Sequence, residues 1–180
     1  MVPHRGNGRT ETMHLTIAPY SSTDRAAVVS VMVGTGMFAD EDAAFLEDVL
    51  DQHAGADGDG SRCLVARVDD AVVGAALARA EEATDRVWDL TMIGVRPDRQ
   101  RDGVGVALMR AVEAALADAA RLVVVRTSST AQFAGARGFY DRLGYDEVAR
   151  VADYWTDGDD LVVFRRDLRD RRDAPVGGRG

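Results

Sequence analysis

Residues 87–126 constrain the fold more than any other stretch of the chain. "RVWDLTMIGV" is apolar and strand-like, Pro97 stops it, and glycines follow at 103 and 105. From Val104 onward, Ala107, Leu108, Ala111, Val112, Ala115 and Leu116 recur on one stripe at helical spacing. "RLVVV" then has the short, β-branched character of a buried parallel strand. The stretch reads as one β-α-β unit. Such a unit needs a sheet with a helix laid across its face.

The flanking sequence supplies further elements. "HLTIAP" alternates like a strand. Ser21, Ser22 and Thr23 offer caps for a helix to about Val33, and "DEDAAFLEDVLDQHA" fits a second helix, ended by "GADGDG". "RCLVARVD" and "AVVGAALARAE" flank Asp69 and Asp70, which predicts a hairpin. A helix at about 131–143, closed by Gly144, precedes strands near 146–152 and 160–167. The expected order is β-α-α-β-β-β-α-β-α-β-β, an α/β (α+β) fold with a mixed central sheet of about seven strands and about four helices. One domain is expected over residues 13–168, with disordered extensions at 1–12 and 169–180.

Composition narrows the chemistry. The 180 residues include 30 acidic and 22 basic side chains, for a net charge of -8, and every basic one is arginine. Without lysine there can be no lysine Schiff base, Walker-type phosphate loop or lysine general base. The acidic balance argues against nucleic acid as a partner. No apolar run reaches the ~20 residues of a membrane helix, and a cytoplasmic location is expected. A single cysteine, Cys63, excludes an internal disulfide, and three histidines show no zinc spacing, so no metal is expected.

The entrance to the helix of the β-α-β unit calls for a ligand. A helix start offers unpaired N–H groups and a partial positive charge. Gly103 and Gly105 keep side chains away from it, while Arg96, Arg99 and Arg101 add charge. The combination suits a pyrophosphate, and substitution of either glycine is expected to leave the fold intact. A dinucleotide fingerprint would need a third glycine where Leu108 stands, although Arg126 could hold the 2′-phosphate of NADP.

Gln100-Arg101-Asp102-Gly103-Val104-Gly105 resembles the Q/R-x-x-G-x-G/A loop of the GNAT superfamily of acyl-CoA-dependent N-acyltransferases. An apolar strand ending "GVRP" precedes it, and "ARGFYDRLGYDEV" is similar to the family's A-x-x-F-Y-x-x-x-G-F segment. The resemblance spans about residues 14–168. It implies an N-acetyltransferase that uses acetyl-CoA as cosubstrate and a primary amine, of a small molecule, as acceptor; with Cys63 read as a structural thiol, direct transfer in a ternary complex is expected. It further implies that N–H groups of Arg101, Asp102, Gly103, Val104, Gly105, Val106 and Ala107, with Gln100 beside them, hold the pyrophosphate. The backbone of Ile93, Gly94, Val95 and Arg96 would splay from the next strand and pair with pantetheine. Tyr140 matches the tyrosine that protonates the departing thiolate, and so lies against the cofactor.

Two departures stand out. Where many members carry a glutamate as general base, this chain has Arg126-Thr127-Ser128-Ser129, and Phe133 replaces a frequent asparagine. The base is left between Asp89 and Asp153. The missing glutamate also keeps open a non-catalytic acyl-CoA sensor, beside the NADP-binding alternative. Cys63, in an apolar strand, reads as a structural thiol, and His53 as a helix-end residue. Trp88 and Trp155 read as either core or substrate wall. Asp40, Glu41, Asp42, Glu47, Asp48, Asp153, Asp157, Asp159 and Asp160 fall on segments that, in this fold, wall the acceptor side, which favours a cationic acceptor. An exposed sheet edge is where a homodimer would form.

Overall fold

The computed structural model describes residues 14–53 and 62–169. In chain order these are β1 (Leu15–Pro19), α1 (Arg25–Gly34), α2 (Ala43–His53), β2 (Arg62–Val68), β3 (Ala71–Ala80), β4 (Val87–Val95), α3 (Val104–Ala115), β5 (Leu122–Ser128), α4 (Ala134–Arg142), β6 (Asp146–Thr156) and β7 (Asp159–Asp167). The expected order of elements is observed. The expected termini, 1–12 and most of 169–180, and the "GADGDG" segment lie outside the described residues. Single 3-10 turns lead into α1, α2 and α4, where the sequence pattern had read continuous helix.

The seven strands form one mixed sheet in the order β1-β2-β3-β4-β5-β7-β6. Asp69 and Asp70 have φ of 49° and 66°. Left-handed residues at both centres of a two-residue loop match the right-handed twist of the strands, so β2 and β3 close as an antiparallel hairpin. The β4–β5 pair is parallel, with α3 crossing between them. β7 inserts between β5 and β6, which leaves β6 as the sheet edge with all eleven residues exposed.

Each face of the sheet has its own core. On one face Val104, Leu108, Met109 and Val112 of α3, Leu116 just past its end and Tyr140 of α4 pack on Ala76, Leu90, Val123, Val125 and Phe164. On the other, Val28, Val29 and Met32 of α1 and Leu46 and Leu50 of α2 pack on Val65, Ala75, Leu77 and Met92. Strand β4 serves both faces. Its ladder to β3 pairs Met92 with Leu77 and Leu90 with Ala78, skipping Thr91. The bulge switches the alternation, so Trp88 and Leu90 face α3 whereas Met92 faces α1.

A polar knot fastens the end of α4 to this frame. The buried Tyr145 hydroxyl donates to Glu113 Oε1 at 3.0 Å, and Arg166 Nε lies 3.5 Å from the same oxygen. Tyr145→Phe should leave a buried carboxylate short of one donor and cost about 1–3 kcal/mol. Urea denaturation of the two proteins measures the difference.

Candidate functional site

The sheet comes apart at its centre. β4 and β5 pair through Val87, Trp88 and Asp89 with Leu122, Val123 and Val124, and the ladder ends there. β4 then runs on to Val95 and β5 to Ser128 with no further pairs between them, which opens a fork. Ile93, Gly94 and Val95 remain on the β3 ladder, while Arg96 lies just past the strand and donates its N–H to Val73 O. The expected splay at this end of β4 is observed. It begins earlier than expected, directly after Asp89.

Gly94 has a packing reason of its own. A β-carbon there would come within 2.7 Å of Met32 Sδ, which lies in the core under α1.

Beyond β4, Pro97–Arg99 make a 3-10 turn and Gln100 Nε2 donates to Val95 O at 3.2 Å, folding the loop back onto the strand. Arg101 and Gly103 take φ of 75° and 82°. Gly103 is the residue before α3, and the first helical bond runs from Ala107 N to Gly103 O at 3.0 Å. The N–H groups of Val104, Gly105 and Val106 precede that bond and have no partner within the helix. Much of the loop's charge is compensated internally. Arg96 donates twice to Asp98, at 2.6 and 3.0 Å, which holds the Asp98 carboxyl below its usual range. Arg99 lies 3.9 Å from Asp98 and 3.8 Å from Asp102.

The two glycines differ. Around Gly103 a β-carbon would meet nothing within 4 Å, so only its left-handed backbone opposes a side chain. At Gly105 the β-carbon would lie 3.3 Å from two carbons of the Phe139 ring. The expectation that both positions tolerate substitution is therefore corrected for Gly105, which is a contact between α3 and α4.

Tyr140 is buried among Phe139, Tyr145 and Phe164, with ring centroids 5.4–6.0 Å apart. Burial raises its pKa well above the ordinary phenol value, and the negative charge of Asp89 adds to the shift. The hydroxyl stays protonated across the neutral range. Asp89 sits on the last paired residue of β4, its side chain 16% exposed, and its pKa is raised by burial against the opposing pull of Arg126.

Arg126 occupies the β5 position where many members of the resembled family carry a glutamate. It donates from Nη1 to Asp89 Oδ1 at 2.9 Å, and from Nη1 and Nη2 to both oxygens of Glu81 at 3.3 and 2.8 Å. Thr91 Oγ1 donates to Asp89 Oδ2 at 3.2 Å. Neither Glu81 nor Thr91 carried a sequence signal. Glu81 is one charge among several in a polar hairpin, and Thr91 is set apart only by the bulge.

Asp153 lies elsewhere. It is an exposed residue of β6 with φ of 51°, and its Oδ1 accepts the Gly158 N–H at 2.7 Å. That bond braces the β6–β7 turn. The tryptophans separate. Trp88 is 7% exposed within the α3 core, whereas Trp155 is 46% exposed, meets Tyr154 edge-on at 4.8 Å and donates to Thr127 O. Cys63 is buried under α1 and its thiol is pushed up to about 12 by that burial, so it is not a thiolate at neutral pH. Among the described residues no cluster of three His, Cys, Asp or Glu is disposed to hold a metal, and no helix is long and apolar enough to cross a membrane.

The acetyltransferase (GNAT) domain family matches residues 59–147, which include β4, the glycine loop and α4. Residues 59–147 thus carry a GNAT acetyltransferase domain. It is accordingly an acyltransferase. A GNAT-family structure from Desulfovibrio desulfuricans is similar at 29% identity over 87% of this chain and 99% of that one, with a TM-score of 0.78. Two others share the fold at 18% identity. The ribosomal-protein-S18-alanine N-acetyltransferase of Escherichia coli has a TM-score of 0.69, covering 86% of this chain and 94% of its own. An acetyltransferase structure from Salmonella typhimurium, with its cofactor acetyl-CoA, has a TM-score of 0.65 at the same coverage. No match was found among curated proteins. The match of this domain over the glycine loop stands against the dinucleotide-binding alternative.

The glycine contacts predict two different losses. Gly103→Ala should cost about 1–2 kcal/mol through its left-handed backbone alone. Gly105→Val adds bulk against Phe139, for about 1–3 kcal/mol and a loosened α4. Denaturant melts give the energies, and hydrogen exchange in α4 should rise only for Gly105→Val.

Proposed function

We propose that this GNAT domain is an N-acetyltransferase that transfers the acetyl group of acetyl-CoA to a primary amine of a small molecule in a ternary complex. The observation that carries the reading is the β4–β5 fork, with the glycine-led start of α3 behind it and with Asp89 and Tyr140 close enough for one charge to shift the other's pKa. In this reading the pyrophosphate of acetyl-CoA rests on the N–H groups of Val104, Gly105 and Val106, with those of Arg101 and Gly103 and the Gln100 side chain beside them. Of the N–H groups expected from Arg101 to Ala107, those of Asp102 and Ala107 are instead committed to Arg99 O and Gly103 O. The pantetheine arm pairs with the backbone of Ile93 to Arg96, as a peptide would with a strand edge. Those N–H groups are held at a helix start whose dipole favours an anion.

Asp89 takes the role of proton acceptor and Tyr140 that of proton donor. The acceptor's ammonium gives a proton to the Asp89 carboxylate, directly or through water, which frees the nitrogen lone pair. The amine attacks the thioester carbonyl, a C–N bond forms and the C–S bond breaks. The thiolate takes the Tyr140 hydroxyl proton. The second ammonium proton leaves as the amide forms and restores the phenol, and Asp89 releases its own to solvent. The balance is one amide, one free thiol and one proton. Direct transfer is favoured because the buried Cys63 thiol cannot act as an acyl carrier. The acids around the acceptor side favour a cationic amine, while Asp153 is committed to the β6–β7 turn.

An amine panel with acetyl-CoA, read as thiol release, tests the transferase reading. Turnover of cationic small amines is expected; acetyl-CoA binding with no amine turned over would mark a sensor instead. Tyr140→Phe should lower kcat ~10²-fold or more while the acetyl-CoA Kd from calorimetry stays within about twofold. Gly103→Val should weaken acetyl-CoA binding by tenfold or more, since a β-branched side chain would both strain the loop and stand before the helix N–H groups.

A further inference from the structure

Arg126 is bound by two carboxylates, one just past the end of β3 and one on β4. Glu81 follows β3, and its N–H is fixed to Val87 O at 2.8 Å, at the start of β4. Asp89 is on β4, opposite Val124 of β5, and Arg126 is two residues farther along β5 on the same face. The guanidinium therefore spans the fork at the point where the strands separate. Glu81 holds it in a bidentate grip, with Nη2 to Oε1 and Nη1 to Oε2. Only Nη1 is shared with Asp89, at its Oδ1, while Thr91 holds Oδ2. Both oxygens of Asp89 are oriented, each by one donor, and each retains a lone pair.

We infer that Arg126, clamped by Glu81, is the positioning residue for Asp89, fixing the orientation of its carboxylate at the mouth of the fork. The inference rests on Asp89 being the proton acceptor. A positive side chain replaces the glutamate of many family members on β5, and the carboxylate stands one strand over, within its reach. The pairing has a chemical consequence. A neutral Asp89 cannot take a proton from an ammonium, and the Arg126 charge works against burial to favour the ionised form.

The charged groups bearing on Asp89 are few. Arg79 and Glu81 act from the β3 side and Arg126 from β5, with Thr91 on β4 itself, and Asp89 in turn acts on Tyr140 of α4. Tyr154 of β6 acts on Arg126. Arg126 and Arg79 favour the ionised carboxylate, whereas burial and Glu81 oppose it. Removal of Arg126 and removal of Glu81 should therefore move the Asp89 titration in opposite directions. A purely structural ion-pair network would shift the carboxylate in the same way but would not move the acidic limb of kcat with it.

The experiment follows kcat against pH for the best amine of the panel, in the wild type, Arg126→Gln, Arg126→Lys and Glu81→Gln. In parallel, carbon-13 NMR of aspartate carboxyls, with the Asp89 signal assigned from Asp89→Asn, gives its titration without turnover. In Arg126→Gln the acidic limb of kcat and the Asp89 midpoint should both rise by about one pH unit or more. Arg126→Lys should return the midpoint but not the full kcat, because an ammonium cannot bridge two carboxylates in the same geometry. Glu81→Gln should lower kcat without raising the midpoint. An Asp89 midpoint unmoved in Arg126→Gln overturns the inference, whatever happens to the rate. If no amine is turned over, the transferase reading fails and the NMR titration still decides whether Arg126 controls this carboxylate.

Discussion

The separation of β4 from β5 after three residue pairs is the constraint on which the rest of the molecule depends. A parallel pair that stopped hydrogen bonding in the middle of a sheet would ordinarily expose unsatisfied backbone to no purpose. Here both strands are secured on their outer sides, β4 by β3 and β5 by β7, so the fork stays open without collapsing. Cores on both faces then hold the two halves at a fixed distance. α3 lies under the fork on one face and α1 on the other, and Met32 fills the space left by the missing side chain of Gly94.

The bulge at Thr91 lets one strand serve two purposes. Before it, Trp88 and Leu90 anchor β4 to the α3 core, and after it Met92 anchors the strand to the α1 core. Asp89, between the two α3-facing anchors, is turned to the other face, where it meets Arg126 and Glu81. An unbulged strand would keep one alternation throughout, and Met92 would then share a face with Leu90. The bulge thus sets where the core ends on each side and leaves a carboxylate at the mouth of the opening.

Much of the fold was legible because its signals are local. The Asp69–Asp70 turn, the Gly103 left-handed entry and the Gly144 helix end, at φ of 79°, each need a conformation that the residue type announces. The α3 stripe is likewise a periodic pattern over one helix. The strand order was less accessible, since inserting β7 between β5 and β6 follows from packing between distant segments. The site divides in the same way. The glycine loop is contiguous and could be read, and Tyr140 was found through its neighbours in the chain. The Glu81–Arg126 pair joins residues 45 apart, and no spacing rule connects them. The different duties of Gly103 and Gly105 were also hidden, because the Phe139 ring that distinguishes them belongs to another helix.

The arginines before α3 pose a final electrostatic question. Three positive side chains near a helix start suggest attraction by net charge, yet Arg96 is occupied by Asp98, and Arg99 lies between Asp98 and Asp102. The acids of the loop return much of the charge that its arginines supply. What is not returned is the set of N–H groups ahead of the first helical bond, oriented by the left-handed backbone at Arg101 and Gly103. Backbone donors cannot be neutralised by a neighbouring aspartate as a guanidinium can, and they do not swing away. In the proposed acetyl-CoA site, selectivity for a pyrophosphate over other anions accordingly comes from the shape of the loop, with the arginine–aspartate pairs holding that shape. The same logic recurs at the fork, where Glu81 fixes the guanidinium that in turn fixes Asp89. In both places arginine orders a chemical group nearby, in a chain that has no lysine to do so.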